Sequence, residues 1–221
     1  MARSCSRSVS SAPSSRSESL PRSDSSVTLA AALSAVLLDL ATHSQPPVDE
    51  QVPAAVLVAL YEASDGELRV VLTKRRADLR RHAGEISFPG GRRDPQDATL
   101  ADTALREAEE EIGLAQAEVR MVGALERTST FVTNYAIHPF VGLLRGPHRW
   151  RASELEVDAV LEPTLREVRA GRTLTRIERR GFCFETDAYV FDEQLVWGAT
   201  ARILESLLER IGPLLDRRAS E

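Results

Sequence analysis

The chain has 221 residues, and its 43% hydrophobic content suffices for one core of ordinary size plus a tail, or for two small domains. A formal net charge of -5 lacks the basic footprint that general nucleic-acid binding needs, so no nucleic-acid partner is expected. Two cysteines, Cys5 and Cys183, build neither a disulfide framework nor a zinc cluster, and a reducing compartment is the expectation.

Residues 1–26 are rich in serine and arginine and poor in acid, a composition that cannot bury a core and predicts a disordered tail. The same bias resembles an organelle transit peptide, so the cytoplasmic location expected for the chain carries a mitochondrial alternative. The run "VTLAAALSAVLLDLA" is too short for a membrane span and is interrupted by Asp39. With Asp24, Ser25 and Ser26 as candidate caps it predicts an amphipathic helix over 27–43, and no membrane partner. "HSQPPVDEQ" then reads as a linker closing the segment 27–50.

Residues 51–213 are expected to form the main domain, with 214–221 as a short tail. "PAAVLVALY" and "LRVVLTKR" predict two strands joined by a turn at "EASDGE", where Gly66 supplies backbone freedom. A loop rich in arginine and glycine follows, through "FPGGRRDPQD". A helix from Thr99 to Ile112 carries the apolar stripe Ala101, Ala104, Leu105, Ala108 and Ile112, with Gly113 as its stop. "EVRMVGALE", "AIHPFVGLL", "EVDAVLE" and "GFCFETDAYVF" predict strands, "PTLREVRAG" a short helix and "VWGATARILESLLERI" a longer one. Strands interleaved with a few helices predict an α/β (α+β) sandwich with a mixed sheet between helices.

The helix at Thr99–Ile112 raises a physical question in its stretch "REAEEEIGL". Glu107, Glu110 and Glu111 share one face at helical spacing, while Glu109 falls away from it. Arg106 can pair with Glu110 four residues on, but no lysine or arginine sits three or four residues from Glu107 or Glu111. Like charges at that spacing cost a few tenths of a kcal/mol each, so a cation over the face would explain them. Hard carboxylate oxygens suit Mg²⁺ or Mn²⁺. The bland alternative is an acidic surface helix. Just before it, "FPGG" places two glycines where backbone must approach something closely.

The segment "GGRRDPQDATLADTALREAEEEIGL" resembles the Nudix box, G-x5-E-x7-R-E-U-x-E-E-x-G-U, and its second half matches at every fixed position. Asp97 stands where the box has glutamate, and eight residues instead of seven separate it from Arg106. Upstream, "LTKRRADLRRHAGEISFPGG" is similar to the element preceding the box in coenzyme A pyrophosphatases. Leu72, Thr73, Arg75, Arg80, Gly84 and Phe88 through Gly91 match it, while Arg76 replaces a small residue. The resemblance spans about residues 53–211 and implies a Nudix-like α/β/α sandwich.

It also implies a metal-dependent hydrolase of a small nucleotide substrate, coenzyme A or an acyl derivative; a monomer or homodimer is the expectation. By position in the box, Glu107, Glu110 and Glu111 would hold Mg²⁺ or Mn²⁺ and Arg106 would position a glutamate. Glu156 in "SELEV" is the candidate for a distal general base, a role that Glu107 could also fill. Between Lys74 and Arg93 there are seven Lys/Arg against Asp78 and Glu85, with Asp94 just beyond, an excess suited to an anionic ligand. Arg75 and Arg80 are the candidates for gripping phosphate, Gly90 and Gly91 for substrate binding by close backbone approach, and His82 is a weaker candidate. The alternatives are a Nudix hydrolase of another nucleotide, such as ADP-ribose, and a non-catalytic Nudix ligand-binding module.

Overall fold

The computed structural model describes residues 23–44, 51–79, 84–130, 134–179 and 181–218. In chain order the first half contains α1 (Ser23–Ser34), α2 (Leu40–His43), β1 (Val52–Glu62), β2 (Leu68–Val70), β3 (Leu72–Arg75), β4 (Ile86–Ser87), β5 (Gly90–Arg92) and α3 (Leu100–Ile112). The second half contains β6 (Val119–Ala124), β7 (Thr128–Ser129), β8 (Tyr135–Leu144), β9 (Val157–Leu161), α4 (Leu165–Ala170), β10 (Arg172–Arg179), β11 (Phe182–Phe191), β12 (Gln194–Trp197) and α5 (Gly198–Arg218).

β1 is the axis of the fold because its apolar run serves two layers at once. Ala55, Leu57, Ala59 and Tyr61 join one buried cluster with Leu100, Ala104, Ala108 and Ile112 of α3. Val58 and Leu60 join the other, with Leu29 and Leu33 of α1 and Ile203, Leu204 and Leu207 of α5. β1 runs parallel to β8 and antiparallel to β2 and β5, and β8 in turn takes β6 and β7 antiparallel. This is the mixed sheet between helices that the strand and helix order predicted. Two small antiparallel sheets, β4-β3-β9 and β10-β11-β12, complete the described architecture.

Four departures from the expected elements have local causes. The helix expected over 27–43 begins at Ser23, so residues 23–26 of the expected tail and its candidate caps lie inside α1, while residues 1–22 lie outside the described residues. It is also two helices, because Leu38 leaves helical geometry to exchange backbone bonds of 3.0 Å each way with Ala124. Asp39 then restarts it as α2 by accepting from the Thr42 amide. "LRVVLTKR" is two strands in different sheets, since β2 pairs with β1 while β3 pairs with β4 and β9. β7, β10 and β12 went unpredicted, as did β4 and β5 within the stretch expected as a loop, and residues 196–197, expected to begin the last helix, belong to β12. α5 continues through Pro213 to Arg218, so a boundary at 213 falls inside it. The proline removes one helical hydrogen bond, but Leu214 and Leu215 pack on the core and Arg169–Asp216 and Arg218–Glu62 ion pairs of 2.7 Å hold the last turns.

No described helix is long and apolar enough to cross a membrane.

Candidate active site

α3 is placed with little freedom. Thr99 and Asp102 form a reciprocal capping box at its start, with the Thr99 amide donating to Asp102 Oδ2 at 2.8 Å. Gly113, at φ 70°, ends it in the left-handed conformation. Between these caps the stripe on β1 sets the rotation of the helix. Glu109 is left exposed, accepting from Gln116 Nε2, whereas Glu107 is half-buried and Glu111 is 5% exposed.

Arg106 is the hub of the polar face. Its Nε donates to Asp97 Oδ1 at 3.0 Å and its Nη2 to Asp97 Oδ2 at 3.1 Å, a two-pronged pairing. The same guanidinium reaches Glu107 Oε1 and Glu110 Oε2, each at 3.0 Å, and the Arg92 carbonyl at 3.2 Å. Asp97 also accepts from the Thr103 hydroxyl at 2.8 Å and the Asp94 amide at 2.9 Å. Burial alone would raise the Asp97 carboxyl, but Arg106 and the other donors outweigh it and hold it at about 2. Asp97 is thus an ionised anchor that fixes Arg106, and through it the start of the glutamate row.

The two glycines of "FPGG" meet protein. A Cβ on Gly90, whose φ is 157°, would collide with Ala55 and Val56 of β1. A Cβ on Gly91 would lie 2.5 Å from the Glu107 carboxylate. The strand β5 can therefore run between β1 and α3 only without side chains at these positions, and the space saved at Gly91 is filled by Glu107.

Glu111 is the most unusual group. Burial pushes its carboxyl up to about 8, against the pull of Arg75 and a bond from the Gly90 amide, with Glu107 and Glu156 raising it further. Its Oε2 is buried with no hydrogen-bond partner among the described residues. Arg75 Nη1 lies 3.7 Å from Glu111 Oε1, and Arg75 Nη2 lies 3.5 Å from Glu156 Oε2. Burial raises Glu107 as well, with Arg106 opposing.

The structure brings Glu107, Glu111, Glu156 and Arg75 into one electrostatic neighbourhood and ties Glu110, 60% exposed, to Arg106. Among the described residues no three acidic, histidine or cysteine side chains converge as a finished metal cage, and Glu110 is held in an i,i+4 ion pair with Arg106. The donor set nonetheless fits a hard divalent cation: Glu107 and Glu156 lie within electrostatic reach of Glu111, whose Oε2 is buried and unpartnered among the described residues. Arg80 and His82 lie outside the described residues. Sequence reading missed the pairing of Arg106 with its neighbour Glu107, which helical spacing disfavours, and the approach of Arg75, on strand β3, to Glu111 on α3. Thr103, a polar residue on the apolar side of α3, was the legible hint of the Asp97 anchor.

Residues 51–169 match the family profile described as the NUDIX domain. Over 161 residues the chain is 38% identical to the uncharacterized Nudix hydrolase NudL of Salmonella paratyphi B, covering 72% of this chain and 82% of that protein. The same figures hold for NudL of Salmonella newport. Among solved structures, a MutT/nudix family protein from Enterococcus faecalis superimposes with a TM-score of 0.50 at 14% identity, covering 78% of this chain and 66% of that one. The NUDIX domain of Shewanella oneidensis NrtR, complexed with ADP ribose, gives 0.50 at 16% identity, covering 76% and 90%. These last two speak to the fold.

Proposed function

The chain belongs to the Nudix family of hydrolases, and from that premise we propose that it splits the pyrophosphate bond of coenzyme A or an acyl-coenzyme A. The products are adenosine 3′,5′-bisphosphate and (acyl-)4′-phosphopantetheine. The observation that carries the hydrolase part is the intact glutamate row on α3, with Arg106 locked to Asp97 beneath it. The coenzyme A part is supported by the upstream segment from Leu72 to Gly91, whose Arg75 faces the glutamates.

Glu107, Glu110 and Glu111 would hold Mg²⁺ or Mn²⁺. When bound, the ion supplies charge neutralisation at the phosphate oxygens and a more acidic water. The chain's own residues do the rest. Arg106 and the gap at Gly91 hold the Glu107 carboxylate in one place. Arg75 and Arg80 hold phosphate oxygens, one of them suited to the 3′-phosphate. Glu156, half-exposed beside Arg75, takes the proton of the attacking water. The new P–O bond forms from water oxygen as the bridging P–O bond breaks.

The test is kcat/KM for coenzyme A, dephospho-coenzyme A and ADP-ribose with Mn²⁺, in wild type and Arg80→Ala. Coenzyme A is expected to be the best substrate, with R80A losing more on coenzyme A than on dephospho-coenzyme A. Preference for ADP-ribose discards the substrate while keeping the hydrolase, and equal losses in R80A remove its 3′-phosphate contact.

A further inference from the structure

Two arginines serve this site, and their geometries differ. Arg106 grips Asp97 with two bonds of 3.0 and 3.1 Å, a lock. Arg75 stands 3.7 Å from Glu111 and 3.5 Å from Glu156, beyond ordinary N–H···O length, and its Nε is buried without a hydrogen-bond partner among the described residues. It supplies charge without a tight bond. Glu111 Oε2 is likewise buried and unpartnered. A cation arriving at Glu111 meets Arg75 already there, and the two positive charges compete for one carboxylate.

We propose that Arg75 is a placeholder counter-ion. It stands as counter-ion to Glu156, and to Glu111 whenever that carboxyl is ionised, and a divalent cation displaces it toward a substrate phosphate oxygen. This rests on the hydrolase reading above and adds an order to it, metal before substrate. Arg75 thereby lowers the metal affinity of the free protein while raising that for substrate, opposite effects that a merely structural arginine does not produce.

The experiment measures binding of Mn²⁺ alone to the full chain, from the electron paramagnetic resonance of free Mn²⁺, in wild type, Arg75→Gln and Arg75→Lys. R75Q is expected to bind Mn²⁺ about two- to fivefold more tightly, the range of a partly exposed ion pair. R75K should stay near wild type, and the KM for coenzyme A should rise in R75Q. Mn²⁺ bound no more tightly by R75Q, at an unchanged melting temperature, overturns the proposal. Arg75→Met, which keeps the apolar stem, replaces R75Q if that variant does not fold. Failure of the hydrolase reading looks different: wild type takes up no Mn²⁺, or Glu111→Gln takes up as much as wild type, and both conclusions fall together.

Discussion

Replacing Glu111 by glutamine separates what the fold wants from what the chemistry wants. The native carboxyl is pushed up to about 8 by burial, while an ordinary glutamate titrates near 4.5. Between those values the metal-free native state binds the extra proton, so stability is fully present below about 4.5 and is lost as pH rises toward about 8, then levels off. At about 1.4 kcal/mol per pH unit, the span corresponds to roughly 5 kcal/mol. Local relaxation and water entry trim it, and the glutamine amide is itself imperfectly satisfied, which leaves a net gain of about 2 kcal/mol at high pH. For a chain of this size that raises Tm by about 4–8 °C. The assay is thermal melting of wild type and E111Q in chelator, from about pH 5 to pH 9, alongside turnover with Mn²⁺. E111Q should be the more stable protein at high pH, with a flatter pH curve, and should lose at least about a hundredfold in turnover. Parallel pH curves, or an E111Q that melts well below wild type at pH 8, would refute the reasoning.

Gly91→Ala puts a Cβ 2.5 Å from the flexible end of Glu107, so stability should fall by less than about 1 kcal/mol while turnover drops about ten- to a hundredfold; melting and kinetics together decide it. Asp97→Asn should cost about 2 kcal/mol in urea unfolding near neutral pH, because the native carboxyl sits at about 2. That deficit is present above about pH 4 and shrinks as pH falls toward 2; a deficit independent of pH would contradict the ionised anchor. Gly171→Ala drives a Cβ into the Val190 carbonyl, and the Val190 amide's 2.9 Å bond to the Gly171 carbonyl resists retreat. The cost should be about 2 kcal/mol or more by chemical denaturation, with metal affinity unchanged.

Much of the fold was legible because periodicity is. β1, β8 and α3 are long and strongly patterned, and of the stripe expected on α3 Ala104, Ala108 and Ile112 are buried while Ala101 and Leu105 are half-buried. β10 escaped notice since Arg172, Leu174, Arg176 and Glu178 are exposed and leave no alternation of apolar residues to read. The halt of α1 at Ser34 depends on Leu38 meeting Ala124, a partner 86 positions away. At the site, the local part of the network was readable: the Arg106–Glu110 pair lies on one helix at i,i+4. The Glu111–Arg75 and Arg106–Asp97 pairings join separate segments, and only the sheets and the Asp94–Asp97 turn after β5 bring those together.

The most direct measurement is mass spectrometry of the products from coenzyme A and Mn²⁺ in ¹⁸O-labelled water, with wild type, chelated wild type and Glu110→Gln. Adenosine 3′,5′-bisphosphate and 4′-phosphopantetheine, carrying one labelled oxygen between them, should appear only with untreated wild type. Intact coenzyme A in every tube, or equal product from E110Q, would contradict hydrolysis by the glutamate row.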